Sequence, residues 1–235
     1  MKNESHFLPY SPPVYSEREA ADRGELFSEL MEQRRSVRFF DSRPVPQEMI
    51  ERAVRTASSA PSGAHRQPWR FVCISEPETK RSIRIAAEKE EQKNYGGRMP
   101  PEWLQALQPI GTTWEKPYLE TVPWIVVVFA EMHGHASDGS KQKNYYVRES
   151  VGIACGLFIA ALHNMGLSTL THTPSPMNFL TAILGRPNHE RPYILFPVGY
   201  AADDCTVPNL RRKPLSEVAV FNPVVHSKPS GIGSK

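Results

Sequence analysis

The hydrophobic pattern changes period several times along the chain, and each change marks an element. Residues 1–22 bear prolines and show no clear period, so they read as an extended N-terminal arm. Apolar positions then recur at helical spacing in ELFSELMEQ, which predicts a helix from Gly24 or Glu25 to about Gln33. Pro46 suits a first helical turn, and IERAVRTASSA carries a second helix to about Ala60, where Pro61-Ser62-Gly63-Ala64 breaks it. Trp69 to Ile74 reads as a strand, and Pro77 opens a third helix to about Asn94. Trp124 to Ala130 (WIVVVFA) is apolar without alternation, the pattern of a strand buried on both faces. Leu167 to Thr173 and Tyr193 to Tyr200 supply two further strands.

The helix predicted over 147–165, stopped by Gly166, is apolar nearly all round and carries Gly152, Ala154, Gly156, Ala160 and Ala161. Such a helix must be covered on every side. It is either a central core helix of a monomer or one that also packs against a second subunit. Residues 96–121 are irregular, with a broken helical pattern around Glu102 to Leu107. So long an insertion in a compact domain reads as a functional lid. The tail, 221–235, reads as flexible. Helices and strands interleave, so residues 23–220 are expected to form one α+β domain around a central sheet.

Composition narrows the class. At 235 residues, 40% hydrophobic and 23% charged, the chain is ordinary for a soluble globular domain. A net charge of +3, with basic residues interspersed among acidic ones, argues against a nucleic-acid partner. Cys73, Cys155 and Cys205 are too scattered for a disulfide framework or zinc site, and Cys73 and Cys155 read as buried reduced thiols. The N-terminus lacks a signal-like apolar stretch, and Val151 to Leu162 falls short of the ~20 residues that span a bilayer. A soluble cytoplasmic protein without membrane contact is expected. His133 and His135 form an HxH pair near Asp138, which reads as a polar turn between a strand and the next helix; no metal is expected.

Two clusters carry chemistry. Arg34, Ser36 and Arg38 alternate in RRSVR, and in an extended segment they project to one side. Guanidiniums match phosphate oxygens bidentately, and Arg211-Arg212-Lys213 could add a further one. Taken alone, each cluster also fits a solvated basic face. Neither GxGxxG after a strand nor GxxxxGK[ST] occurs, so a phosphate ligand would rely on arginine side chains, and FMN is a reasonable candidate. In the second cluster, Glu91 and Tyr95 share one face of a helix at i and i+4, and Lys116 follows in TTWEKPY. A carboxylate, a phenol and an ammonium together complement a zwitterion such as an amino acid. Without further context Glu91 and Tyr95 would be a solvated helix face.

RRSVRFF (34–40), APSGAHRQPW (60–69), NYYVRESVGIACG (144–156), PVGY (197–200) and PNLRRKPL (208–215) occur in one colinear order. Together they resemble the nitroreductase-fold flavoproteins and, more narrowly, the iodotyrosine deiodinase family. The resemblance runs from about Gly24 to Leu215 and implies a nitroreductase-like fold, a central mixed sheet flanked by helices in an intertwined homodimer. It implies that Arg34, Arg35, Ser36 and Arg38 hold FMN, with Arg212 completing the anion site. Pro61, Ser62 and Gly63 would reach the flavin from the partner subunit, and Thr173 would donate to flavin N5, favouring one-electron transfer over hydride transfer. The Ala64 amide would bind a substrate phenolate oxygen, and Glu91, Tyr95 and Lys116 would bind the zwitterion. The implied activity is reductive dehalogenation of halotyrosines, 3-iodotyrosine to tyrosine and iodide, with electrons from reduced nicotinamide (NADPH) or a reductase. A broad nitroreductase or quinone reductase, and a non-catalytic flavin- or tyrosine-binding sensor, are the other readings. His172 stands where the family commonly has threonine, SPMNFLT (175–181) departs from the animal form, and 96–113 is divergent.

Overall fold

The computed structural model describes residues 7–136 and 138–223. Residues 1–6 of the expected arm and 224–235 of the expected tail lie outside the described residues. The first helix, α1 (Glu17–Gln33), opens well before the Gly24–Glu25 start read from apolar spacing. Its entrance is polar: Ser16 Oγ accepts from the Glu19 amide at 3.3 Å, and the Glu19 carboxylate accepts from the Ser16 amide at 2.9 Å. This reciprocal capping box lies in SERE, ahead of the hydrophobic signal, which is why periodicity placed the helix too late. Ser16→Ala is expected to lower stability by about 1 kcal/mol, read as a shifted urea midpoint at constant slope.

Four strands make the central sheet in the order β1 (Trp69–Ile74), β2 (Trp124–Glu131), β6 (Glu190–Gly199), β5 (Ser168–Thr169). All these pairs are antiparallel, and a parallel pairing enters at the isolated Ser36–Thr169 bridge, where the segment after α1 runs beside β5. The register explains the unbroken apolar run of β2. Val126 and Val128 face α2 (Gln47–Ala57) and α6 (Val147–Asn164), while Ile125, Val127 and Phe129 face a second core with Ile83, Leu119 and Leu180. Both faces are buried, so both sets of alternating positions are apolar. Those second-core residues belong to α3 (Pro77–Lys93), α5 (Tyr118–Thr121) and α7 (Asn178–Ile183).

On α6, Val151, Ala154, Cys155, Phe158 and Leu162 are buried, and Phe158 stacks between Phe71 and Phe196 with ring centroids 5.5 and 5.3 Å away. Burial pushes the Cys155 thiol up to about 12. Elsewhere on α6, Ile153 is left 48% exposed by the described residues. Cys73, by contrast, is exposed, on β1 at the edge of the sheet. The strand expected over 167–173 shortens to β5; Leu170 turns into the core and only His172 rejoins the sheet, at Leu195. The segment 96–121 is more regular than expected. Pro101 sits at the first turn of α4 (Pro101–Leu107), a 3₁₀ turn follows at Gln108–Ile110, and α5 closes it. The expected polar turn at His133 and His135 is a hairpin, β3 (His133–His135) with β4 (Lys141–Lys143), on which the rings of both contact His189. α8 (Leu215–Val218) ends the described fold. Among the described residues, no helix is long and apolar enough to cross a membrane.

Candidate active site

The arginines converge because the chain leaves α1 in an extended conformation at Arg34 and then follows β5, with the Val37 amide donating to the Thr169 carbonyl at 3.2 Å. Val37 and Phe40 turn into the core, so the charged neighbours face a cavity of about 250 Å³ lined by Arg34, Arg35, Ser36, Arg38, Arg211 and Arg212. The C-terminal segment closes the other wall. Arg35 donates to the Pro208 carbonyl, and Arg212 donates to the carbonyls of Glu32 at 2.8 Å and Arg34 at 2.7 Å, ending α1. Burial, then the cationic Arg212 and Arg35, lowers the proton affinity of Arg34. The Arg38 Nε is buried without a hydrogen-bond partner among the described residues. A crowd of guanidiniums with an unpaired buried donor is a site short of an anion.

Ser36, Arg38, Ile110 and Pro208 also line a second cavity of about 470 Å³, whose far wall is Thr112, Thr113, Glu115, Pro117 and Tyr118. The two form one trough, cationic at the arginine end and sized for a cofactor-class molecule.

Glu91, Tyr95 and Lys116 meet behind that far wall. Glu91 and Lys116 are buried and form an ion pair at 3.6 Å, and Lys116 Nζ lies 5.8 Å from the Tyr95 ring centroid. The wall occupies their remaining donors: Tyr95 donates to the Thr112 carbonyl at 3.0 Å and Lys116 Nζ to the Thr113 carbonyl. The Lys116 amide donates to Glu88 Oε1 at 2.6 Å, which pins the turn. Burial raises the Glu91 carboxyl above its usual value and lowers Lys116, each opposed by the charge of the other. Neither charge is comfortable there except against an opposite one.

The remaining expected residues stand apart from the trough. Pro61, Ser62, Gly63 and Ala64 line neither cavity; Gly63 bridges Tyr145 and its amide donates to Ser150 Oγ at 3.4 Å. A Cβ at Gly63 would lie 2.6 Å from the Tyr145 carbonyl oxygen, so only glycine fits. Ala64, His65 and Gln67 all adopt positive φ (50°, 54° and 48°), a strained run in an exposed loop. Thr173 is exposed and lines neither cavity. Sequence reasoning missed two residues that face this region. Tyr118 follows Lys116 by two and reaches His172 Nδ1 at 3.5 Å. Asn94 is buried directly before Tyr95. A polar residue between a charged helix and Gly96-Gly97 was the available signal for Asn94; Tyr118 had none.

Comparison with known proteins gives this arrangement a family. The nitroreductase family model matches residues 31–200. An iodotyrosine deiodinase of Haliscomenobacter hydrossis is 52% identical over 220 residues, covering 94% of this chain and 99% of that protein. Human iodotyrosine deiodinase 1 is 45% identical, covering 93% of this chain and 76% of the human one. A crystal structure of oxidized iodotyrosine deiodinase bound to FMN and 3-iodo-L-tyrosine superposes with a TM-score of 0.70 at 30% identity, covering 83% of this chain and all of that one. The chain belongs to the nitroreductase family and, within it, to the iodotyrosine deiodinases.

Proposed function

We propose that this protein is an FMN-dependent reductive dehalogenase of halotyrosines that converts 3-iodotyrosine to tyrosine and iodide. The observation that carries the reading is the buried Glu91–Lys116 pair with Tyr95, set behind the wall of an arginine-lined trough. The trough fits FMN on its own chemistry: clustered guanidiniums and the unpaired Arg38 Nε suit a phosphate and its ribityl chain. Arg34, Arg35, Ser36, Arg38 and Arg212 would hold it there. When bound, FMN supplies the two electrons that, with one proton, replace iodide by hydrogen on the ring.

This chain's residues bind and orient. The Glu91 carboxylate takes the substrate ammonium, and Lys116 with the Tyr95 hydroxyl takes its carboxylate. The segment 96–121 acts as a lid, its 112–113 carbonyls giving way to the ligand and the closed state excluding water. Substrate thus exchanges one buried ion pair for two, so only a zwitterion compensates for opening it. The Ala64 amide donates to the phenolate oxygen, Pro61, Ser62 and Gly63 lie against the flavin, and Thr173 donates to N5. A homodimer completes the site, with the 60–64 segment supplied across the subunit boundary. The exposed Ile153 on α6 and the exposed Phe27, Tyr146 and Val218 support that assembly. The protein works in the cytoplasm, drawing electrons from reduced nicotinamide or a reductase.

The test is to reduce the bound flavin anaerobically and add 3-iodotyrosine. Reoxidation with release of iodide and tyrosine is expected. Reoxidation by a nitroaromatic but not by iodotyrosine would make the protein a general nitroreductase, and binding without turnover would make it a sensor. Thr173→Ala is expected to slow reoxidation by iodotyrosine about 10- to 100-fold, the loss of one hydrogen bond that strengthens as the reaction proceeds, in stopped-flow traces.

A further inference from the structure

Resting on the reading that Glu91, Tyr95 and Lys116 close on a zwitterion and that Thr173 serves the flavin, we infer that Asn94 is a positioning residue that couples the two. Asn94 caps the C-terminus of α3 and is 4% exposed, three residues after Glu91 and directly before Tyr95, which lies in the π-helical turn that follows. Its Nδ2 donates to the Ser175 carbonyl at 3.0 Å, and its Oδ1 accepts from Arg98 at 3.1 Å. Arg98 reaches the same Ser175 carbonyl at 3.3 Å and is itself held by Glu90 at 3.0 Å. The Ser175 carbonyl is therefore gripped by the end of the helix that carries the clamp.

The other end of that loop is anchored differently. His172 exchanges both backbone hydrogen bonds with Leu195 of β6, at 2.8 and 3.0 Å, so it moves only with the sheet. Thr173 lies between a fixed point at His172 and a point at Ser175 that follows the last turn of α3. Beyond Asn94 the chain turns sharply at Gly97, whose φ of 130° strongly favours glycine, so the segment that follows leaves the axis of α3 while Asn94 stays with it. When Glu91 and Tyr95 re-pair with a ligand, the last turn of α3 shifts and carries Ser175 with it. Thr173 then takes its working position only when the clamp is filled. A buried asparagine with both its donor and its acceptor engaged transmits such a shift because neither bond can be released cheaply.

The experiment is hydrogen–deuterium exchange on FMN-loaded, oxidised protein with and without saturating 3-iodotyrosine, comparing peptides over 108–117 and 171–177. In the wild type, ligand is expected to slow exchange in both, by about fivefold or more at 171–177, the equivalent of one hydrogen bond. Asn94→Asp keeps the size and the acceptor for Arg98 but removes the donor to Ser175. It is expected to retain the protection of 108–117 and lose that of 171–177. Protection of 171–177 that survives in Asn94→Asp overturns the proposal, as does a wild type protected at 108–117 alone. A wild type protected at neither segment removes the clamp reading itself, and the coupling with it. Should Asn94→Asp not fold, Asn94→Ala removes the same donor to the Ser175 carbonyl with a smaller side chain; surviving protection of 171–177 there is equally fatal.

Discussion

Lys116→Ala is expected to weaken 3-iodotyrosine binding by about 10²- to 10³-fold while leaving reduction of a nitroaromatic within about threefold. The size follows from where the lysine sits. Its ammonium and the Glu91 carboxylate are both buried and 3.6 Å apart, so each is the main compensation for the other's lost hydration. Removing the lysine would delete the partner proposed for the substrate carboxylate and leave Glu91 without its ion-pair partner. Glu91→Gln removes the ammonium's partner instead and should cost a similar factor. A nitroaromatic carries no zwitterion and makes neither contact. The double variant Glu91→Gln, Lys116→Met separates recognition from folding. Replacing a buried ion pair by neutral groups of similar size is often neutral for stability, so its melting temperature should recover while binding stays lost. Titrations of flavin fluorescence with 3-iodotyrosine decide the matter. If both single variants bound it as tightly as the wild type, these residues would not be the zwitterion site.

Much of this site was legible in the chain because its pieces are local. RRSVR is five residues, and an extended conformation after a helix was enough to bring Arg34, Ser36 and Arg38 together. Glu91 and Tyr95 needed only helical spacing. Lys116 joins them across an intervening helix and turn, and no periodicity reports such a closure. For that residue the family resemblance carried the expectation. The self-pairing of the clamp with the Thr112 and Thr113 carbonyls was not legible, because it depends on how the segment packs when no ligand is present. The start of α1 was missed for the opposite reason: its signal is entirely local but polar, in Ser16 and Glu19, where only apolar spacing was followed. The strand expected over Leu167–Thr173 failed because β propensity describes side chains that suit a pleated surface. Leu170 suits the core equally well without continuing the ladder.

Acid should destabilise the protein through His172, by about 2–3 kcal/mol between pH 7 and about pH 4.5. The ring is buried against Tyr118 of α5, with Lys116 and Arg38 as its charged neighbours, and its Nε2 has no partner among the described residues. Burial first, then the two cations, lowers its pKa from 6.5 to about 3. The sign follows from which state takes the proton. Above pH 6.5 neither state does, and stability is full. Below it the unfolded chain binds a proton that the folded ring refuses, so stability falls by about 1.4 kcal/mol per pH unit until the folded ring titrates. His172→Leu removes that titration. The substitution also changes packing, but a packing cost is the same at every pH and leaves the slope untouched. The slopes of urea-derived stability against pH are therefore the quantity to compare, above the range in which exposed carboxylates protonate. Parallel curves for wild type and His172→Leu would mean that the ring takes up its proton in the folded state. The neutrality also matters for the site. A third cation beside Lys116 and Arg38 would compete with Lys116 for the Glu91 carboxylate, and a ring that stays neutral at working pH leaves that carboxylate available to an incoming ammonium.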